Sequence, residues 1–162
     1  MGTPAEASFS PLDANAVDYD YAWAMYMGYG VSGVCWRGPR IFDGPKSKGV
    51  VAKWVAWYKN YRSTLTSGAL IHVRRPDGQG VDAILHANAR GTAEKGIIFT
   101  FNPSQTAVKA TLKVDLYYTG INDTAQISFE DGAAVSYALE RDYSVIIPIS
   151  MAPESYAWWT VQ

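Results

Sequence analysis

Beyond Gly68 the sequence is a series of short apolar runs separated by turn residues, and this alternation limits the folds open to the chain. Eight runs of strand-forming residues follow one another at a spacing of roughly ten residues. They cover residues 69–73, 81–87, 96–102, 108–116, 125–130, 133–139, 143–149 and 156–161. The separator Asp131-Gly132 is a strong hairpin signal. Because no helical pattern interrupts the runs, the sequence predicts a mainly β fold, an antiparallel β-sandwich of about eight strands.

Two helical patterns precede the strands. The run from Asp18 to Met27 begins with acidic residues and continues with good helix formers, and Gly28 follows as a stop signal. A second helix is predicted from Lys48 to Leu65, where apolar residues recur every three or four positions. Between them, the apolar run 31–36 predicts a buried strand. The sandwich is therefore expected to carry a short helical α/β segment at its N-terminal end.

The length of 162 residues is typical of about one domain. The composition divides it into a poorly ordered lead-in at 1–17, the helix-strand-helix segment at 18–66 and the β-sandwich at 67–162. The first residues have neither the basic nor the apolar region of a secretory signal, so localisation stays open. The protein would be secreted or periplasmic only if a leader outside this sequence had been removed.

The charge balance argues against two classes of partner. Fourteen basic and fifteen acidic residues leave a net charge of -1, which gives no electrostatic footprint for nucleic acid or for an anionic membrane. No window approaches the ~18 apolar residues of a membrane span. Cys35 is the single cysteine, so an internal disulfide and a cysteine-based metal cluster are excluded. We expect no cofactor and no metal.

The acidic residues give only weak catalytic candidates: Asp82, Asp43 and His86. Asp82 and His86 fall on one face of a predicted strand but lie about 13 Å apart along it. His72 and Arg74, on the preceding strand, would share that face if the two strands form a hairpin. Two interpretations remain open there: a metal site built from the histidines and Asp82, or an ion pair between Asp82 and Arg74 or Arg75.

Aromatic residues make up 14% of the chain and favour a different chemistry. The pairs Trp158-Trp159 and Tyr117-Tyr118 should alternate between the two faces of a strand, so one member of each leaves the core unless both faces are covered. An exposed aromatic ring can stack on the apolar face of a sugar ring. The competing interpretation is burial against the helix that carries Trp54.

Several segments together resemble the C-terminal end of large bacterial glycoside hydrolases, in which an eight-fold α/β barrel is followed by a β-sandwich. Residues 30–40 and the helix with Trp54, Trp57 and Tyr61-Arg62 look like the last barrel strand, its loop and its closing helix. The trailing sandwich is represented by 71–78, 81–86, 99–104, 116–120 and 141–143, including the Asn102-Pro103 turn. The resemblance covers residues 18–161.

The resemblance implies a carbohydrate-associated module that binds glycan or supports a glycoside hydrolase catalytic domain. Seven of the eight barrel units are missing, and in such enzymes the paired carboxylates lie on barrel strands absent from this sequence. The expected partners are an oligo- or polysaccharide, a catalytic partner domain or a second copy of the chain. Carbohydrate-binding residues are predicted at Trp158, Trp159, Tyr117, Tyr118, Trp36, Arg37 and Arg74. Two alternatives remain: a small glycoside hydrolase acting alone or as an oligomer, and a structural domain without a ligand.

Overall fold

The computed structural model describes residues 10–31, 41–78, 80–91, 93–130 and 132–162, without the side chain of Ser67. By internal contacts the chain divides into two compact units, Met1–Asn60 and Tyr61–Gln162. The two predicted helices are present, with α1 at Ala16–Gly28 and α2 at Pro45–Ser67. The predicted strand at 31–36 falls largely outside the described residues. No helix in the described ranges is long and apolar enough to cross a bilayer.

The first unit is organised by aromatic and acidic side chains. Tyr19 and Trp54 are fully buried. Asp20 joins the two helices, because its carboxylate accepts a hydrogen bond from Trp54 Nε1 at 2.8 Å and pairs with Lys53 Nζ at 3.0 Å. The start of α2 is capped from a distance, since Asp13 Oδ1 accepts hydrogen bonds from the Lys46 and Ser47 amides.

The second unit is the predicted sandwich of eight antiparallel strands. Its strands are β1 Ala69–Arg74, β2 Asp82–Ala87, β3 Gly96–Asn102, β4 Val108–Asp115, β5 Thr124–Phe129, β6 Ala134–Ala138, β7 Ser144–Met151 and β8 Ser155–Val161. Six of them form one sheet in the order β1-β2-β3-β8-β5-β6, and β4 pairs with β7 in a second sheet. The main core lies between the sheets, where Leu85, Ile98, Val114, Ile147 and Trp159 are buried together.

The central strands of the six-stranded sheet are buried on both faces. Every residue of β2 and β3 is buried, and so are the last five residues of β8. Strands that are buried on both faces have nearly continuous apolar sequences. For this reason the sequences of β2 and β3 do not show an alternation of apolar and polar residues that would distinguish a core face from a solvent face. On the face away from the main core, the ring of Phe99 stacks against Phe101 and Trp158, with centroids 5.0 and 6.1 Å apart.

Candidate functional site

Tyr117 and Tyr118 lie on a short 3₁₀ helix, Tyr117–Thr119, that directly follows β4. We expected the pair to alternate across a strand, with one ring inside. Instead the strand ends at Asp115, and both rings are exposed, by 58% and 54%. The two rings meet edge to face, with centroids 5.4 Å apart and an interplanar angle of 87°. Both tyrosines are therefore available to an external ligand.

Local hydrogen bonds explain why the chain turns at this point. Asp115 Oδ1 accepts a hydrogen bond from the Tyr117 amide at 2.9 Å, which replaces the next strand contact by a turn. The buried Thr119 donates its hydroxyl to the Leu116 carbonyl at 2.6 Å. Gly120 ends the helix with a φ of 75°, a conformation that favours glycine. The backbone beneath the tyrosines is thus held from both ends.

A third tyrosine completes the surface. The ring of Tyr143 lies 5.4 Å from that of Tyr117 at an angle of 72°, and 37% of the residue is exposed. The Leu116 amide donates to the Tyr143 carbonyl at 3.0 Å, which fixes the two segments side by side. We call Tyr117, Tyr118 and Tyr143 the tyrosine cluster. Sequence reasoning missed Tyr143 because its position results from the pairing of β4 with β7.

An ion pair lies at the same end of the two-stranded sheet. Lys113 Nζ is 2.7 Å from Asp142 Oδ2, and Ser144 Oγ donates to Asp142 Oδ1 at 2.6 Å. The hydrogen bond from Lys113, followed by those from the Ser144 hydroxyl and amide, holds the pKa of Asp142 well below its ordinary value. The hydrogen bond that Lys113 donates to Asp142 raises the pKa of Lys113. Both groups are charged at neutral pH and can bond to hydroxyl groups.

Trp158 and Trp159 are both buried, with only 8% and 6% of each residue exposed. Both faces of β8 are covered over its last five residues, which is the condition under which the sequence argument allowed both indoles to be buried. The Trp159 side chain belongs to the main core and meets Phe129 edge to face at 5.3 Å. Neither indole presents an open face to solvent, as stacking on a sugar requires.

The three weak catalytic candidates fall in different units of the chain. Asp82 and His86 lie on one face of β2, opposite Phe101 and Ile97 of β3, and both are buried. Asp43 belongs to the other unit, and its two oxygens accept hydrogen bonds from the Leu12 and Asp13 amides at 2.6 and 2.7 Å.

Burial raises the pKa of Asp43, but the hydrogen bonds from the Leu12 and Asp13 amides and from Ser47 outweigh it, and the net pKa is lowered. A carboxylate bound in this way stabilises a turn.

One sequence interpretation paired Asp82 with Arg74 or Arg75, and the structure places Arg74 away from that position. A β-bulge between His72 and Arg74 shifts the register, so that Arg74 lies opposite Ala83. The guanidinium instead lies 3.5 Å from Asp77 in the following turn. His72, opposite Ile84, keeps the predicted face. Within the described ranges, no group of three or more potential ligands that could hold a metal ion occurs. Trp36 and Arg37 lie outside the described residues.

Comparison with known proteins gives a fold but no family. No protein-family model matches the sequence, and no curated protein matches it. Among solved structures, alpha-galactosidase I from Mortierella vinacea aligns with a TM-score of 0.56 at 8% identity, over 90% of this chain and 35% of that one.

A GH27 β-L-arabinopyranosidase from Geobacillus stearothermophilus aligns with a TM-score of 0.54 at 10% identity, over 93% and 30% of the two chains. An AmyP variant in complex with maltotriose reaches 0.50 at 10% identity, over 89% and 34%. The chain thus spans about a third of the length of these proteins, and at such low identity the likeness shows the fold alone.

Proposed function

We propose that the chain is a carbohydrate-associated module whose tyrosine cluster binds glycan beside a glycoside hydrolase catalytic domain. The observation that carries the proposal is the exposure of Tyr117 and Tyr118, each more than half open although held edge to face. Exposed rings that are already fixed lose little conformational freedom on binding. Sugar-binding surfaces need such rings, because the C–H face of a pyranose packs on an aromatic face.

Sugar recognition also needs hydrogen bonds to hydroxyl groups, and polar side chains near the tyrosine cluster can supply them. Hydroxyl groups need both donors and acceptors, and the Lys113–Asp142 pair supplies one of each at the same end of the sheet. Asp115 adds a carboxylate next to Tyr117, and one of its oxygens accepts the hydrogen bond from the Tyr117 amide. The cluster forms an open surface, so we expect weak binding to the side of a polysaccharide rather than enclosure of a single sugar.

The solved structures of similar fold provide the biological context. Two of them are named as glycosidases acting on galactosides and arabinopyranosides, and a third holds maltotriose. The present chain corresponds to about a third of each. We infer that this chain works as the accessory part of an enzyme of that general kind.

Affinity electrophoresis through gels containing a galactan, an arabinogalactan or starch tests the proposal. The wild-type chain should be retarded by at least one polysaccharide, and Tyr117→Ala and Tyr118→Ala should each reduce the retardation by more than half. The conservative changes Tyr117→Phe and Tyr118→Phe should keep most of it, because stacking needs the ring.

Phe42→Ala is a matched control, since it removes an exposed aromatic side chain from the other unit. It should migrate like the wild type, and thermal unfolding should confirm that all variants are folded. Unretarded migration of the wild type in all three gels, or equal retardation of the alanine variants, would exclude the tyrosine cluster as a glycan site.

A further inference from the structure

Strand β6, at one edge of the six-stranded sheet, carries no device against pairing with another strand. Its sequence, Ala134-Val135-Ser136-Tyr137-Ala138, contains no charge, proline or glycine, and four of its five residues are exposed. Edge strands of soluble proteins usually carry at least one such device, because their free N–H and C=O groups attract other chains.

The other edge strands of the described sandwich do carry protection. β1 has the bulge between His72 and Arg74 and the charge of Arg74 at its end. β4 carries Lys109 and Lys113, and β7 contains Pro148, which has no N–H to donate. The contrast singles out β6 as the edge that is open to an additional strand.

The backbone of β6 presents alternate residues to the outside. The Leu139 amide donates to Asp123 beside β5, and Gln126 exchanges hydrogen bonds with Gln162 beyond β8. In an antiparallel ladder the direction of the N–H and C=O groups alternates with each residue. The groups of Val135 and Tyr137 therefore face β5, whereas those of Ala134, Ser136 and Ala138 point away from it.

This arrangement is symmetric about Ser136. If two copies of β6 pair in antiparallel fashion around a two-fold axis at that residue, Ser136 lies opposite Ser136 and Ala134 opposite Ala138. All outward N–H and C=O groups of the three residues then find partners in the second copy. Val135 of one copy lies opposite Tyr137 of the other, a pairing of β-branched and aromatic side chains that favours antiparallel sheets.

An apolar groove borders the same edge. It has a volume of about 360 Å³, and its lining includes Val135 and Tyr137 of β6 and Pro148 of β7. Val135 is 54% exposed at this groove. A second β6 in the register above would place its own Val135 and Tyr137 next to the groove and remove apolar surface of both copies from water.

We propose that the chain forms a two-fold symmetric dimer through β6, centred on Ser136, which joins two six-stranded sheets into one. Charge permits the contact, because no Lys, Arg, Asp or Glu occurs between Ala133 and Leu139, and no like charges face each other across the axis within the strand. Five paired residues and one groove are a smaller contact than the ~800 Å² per partner of a standard interface. The dimer is therefore weak and depends on concentration.

Sedimentation velocity of the full chain, across about two orders of magnitude of concentration, tests the proposal. The wild type should shift from monomer towards dimer as its concentration rises. Ser136→Lys should abolish the shift, because the two introduced charges would lie opposite each other at a Cα separation of about 5.5 Å. Ser136→Glu should abolish it for the same reason.

Mixing the two variants tests directly whether the two copies meet at residue 136. Ser136→Lys and Ser136→Glu, each monomeric alone, should form a heterodimer on mixing, because opposite charges then meet at the axis. Thr111→Lys is the matched control, an exposed strand residue of β4 opposite Pro148. It should dimerise like the wild type. A monomeric wild type at every concentration, a dimer that survives Ser136→Lys, or a mixture that stays monomeric would overturn the proposal.

Discussion

Lys113 Nζ and Asp142 Oδ2 lie 2.7 Å apart and connect β4 to the turn before β7 across 29 residues of sequence. The turn that Asp142 holds also positions Tyr143, because Ser144 bonds to the same carboxylate through both its amide and its hydroxyl. We therefore expect the geometry of the tyrosine cluster to depend on this exposed ion pair and, through it, on pH.

We expect the stability of the sandwich to fall in acid through Asp142. Its folded pKa lies below the ordinary value of 3.8, so the unfolded chain binds the proton first as the pH decreases. The contribution is complete above that ordinary value and is lost as the pH falls from there through the folded pKa. Lys113→Ala removes the largest cause of the shift and should raise the pKa of Asp142, measured by NMR titration of its carboxyl carbon.

The remaining hydrogen bonds from Ser144 should keep the pKa of Asp142 in Lys113→Ala below the ordinary value. Because the pair is exposed, added salt should weaken the effect of Lys113 in the wild type. An unchanged Asp142 titration in Lys113→Ala would contradict the assignment.

Asn102 should be important for stability out of proportion to its size. This fully buried amide donates to the carbonyls of Thr106 and Ala152 at 2.9 and 2.7 Å and accepts from the Ser104 amide and hydroxyl. Asn102→Ala leaves these groups without their partner and should lower the free energy of unfolding by ~1 to 3 kcal/mol, measured by urea denaturation.

Asn102→Asp should destabilise the sandwich more strongly, because it places a carboxylate against the carbonyls of Thr106 and Ala152. Ser155→Ala is the control, since it removes an exposed hydroxyl that bonds to the same Ala152 carbonyl, and it should cost less than ~0.5 kcal/mol. Equal denaturation midpoints for Asn102→Ala and the wild type would refute the prediction.

Substitution of Trp159 should strongly destabilise the protein, so it is not a suitable test of sugar binding. The indole is part of the main core, so Trp159→Ala is expected to lower the free energy of unfolding by ~3 to 5 kcal/mol. This is a large part of the ~5 to 15 kcal/mol that stabilises a typical domain. Trp159→Phe should cost less, because it fills more of the space. A Trp159→Ala variant with wild-type thermal stability would show that the indole is not a core residue.

The strands could be predicted because their ends are local. Turn residues such as Pro76-Asp77-Gly78 stop a strand wherever they occur, and each observed strand lies within two residues of its predicted ends. The start of α2 was predicted three residues late, at Lys48 instead of Pro45. The first turn of α2 is capped by Asp13, which lies more than thirty residues away in sequence. The local sequence around Pro45 does not predict a capping residue so distant.

The candidate site was predicted in part. Tyr117 and Tyr118 were selected on the argument that an adjacent aromatic pair on a strand cannot be wholly buried, and both are exposed for a different reason, the 3₁₀ turn. For Trp158 and Trp159 the exception stated in that argument applies, because both faces of β8 are covered over its last five residues. Tyr143 and the bulge beside Arg74 depend on strand register, which composition and spacing do not determine.

Burial of β2 and β3 on both faces has a consequence for how such a protein can change over time. The six ladder positions of β2 and the seven of β3 tolerate few polar replacements, so divergence must accumulate on the outward positions of β4, β6 and β7 and in the turns. New binding specificities would then arise at the surface, around a nearly invariant core. Distant homologues would be easier to detect by comparing structures than by comparing sequences.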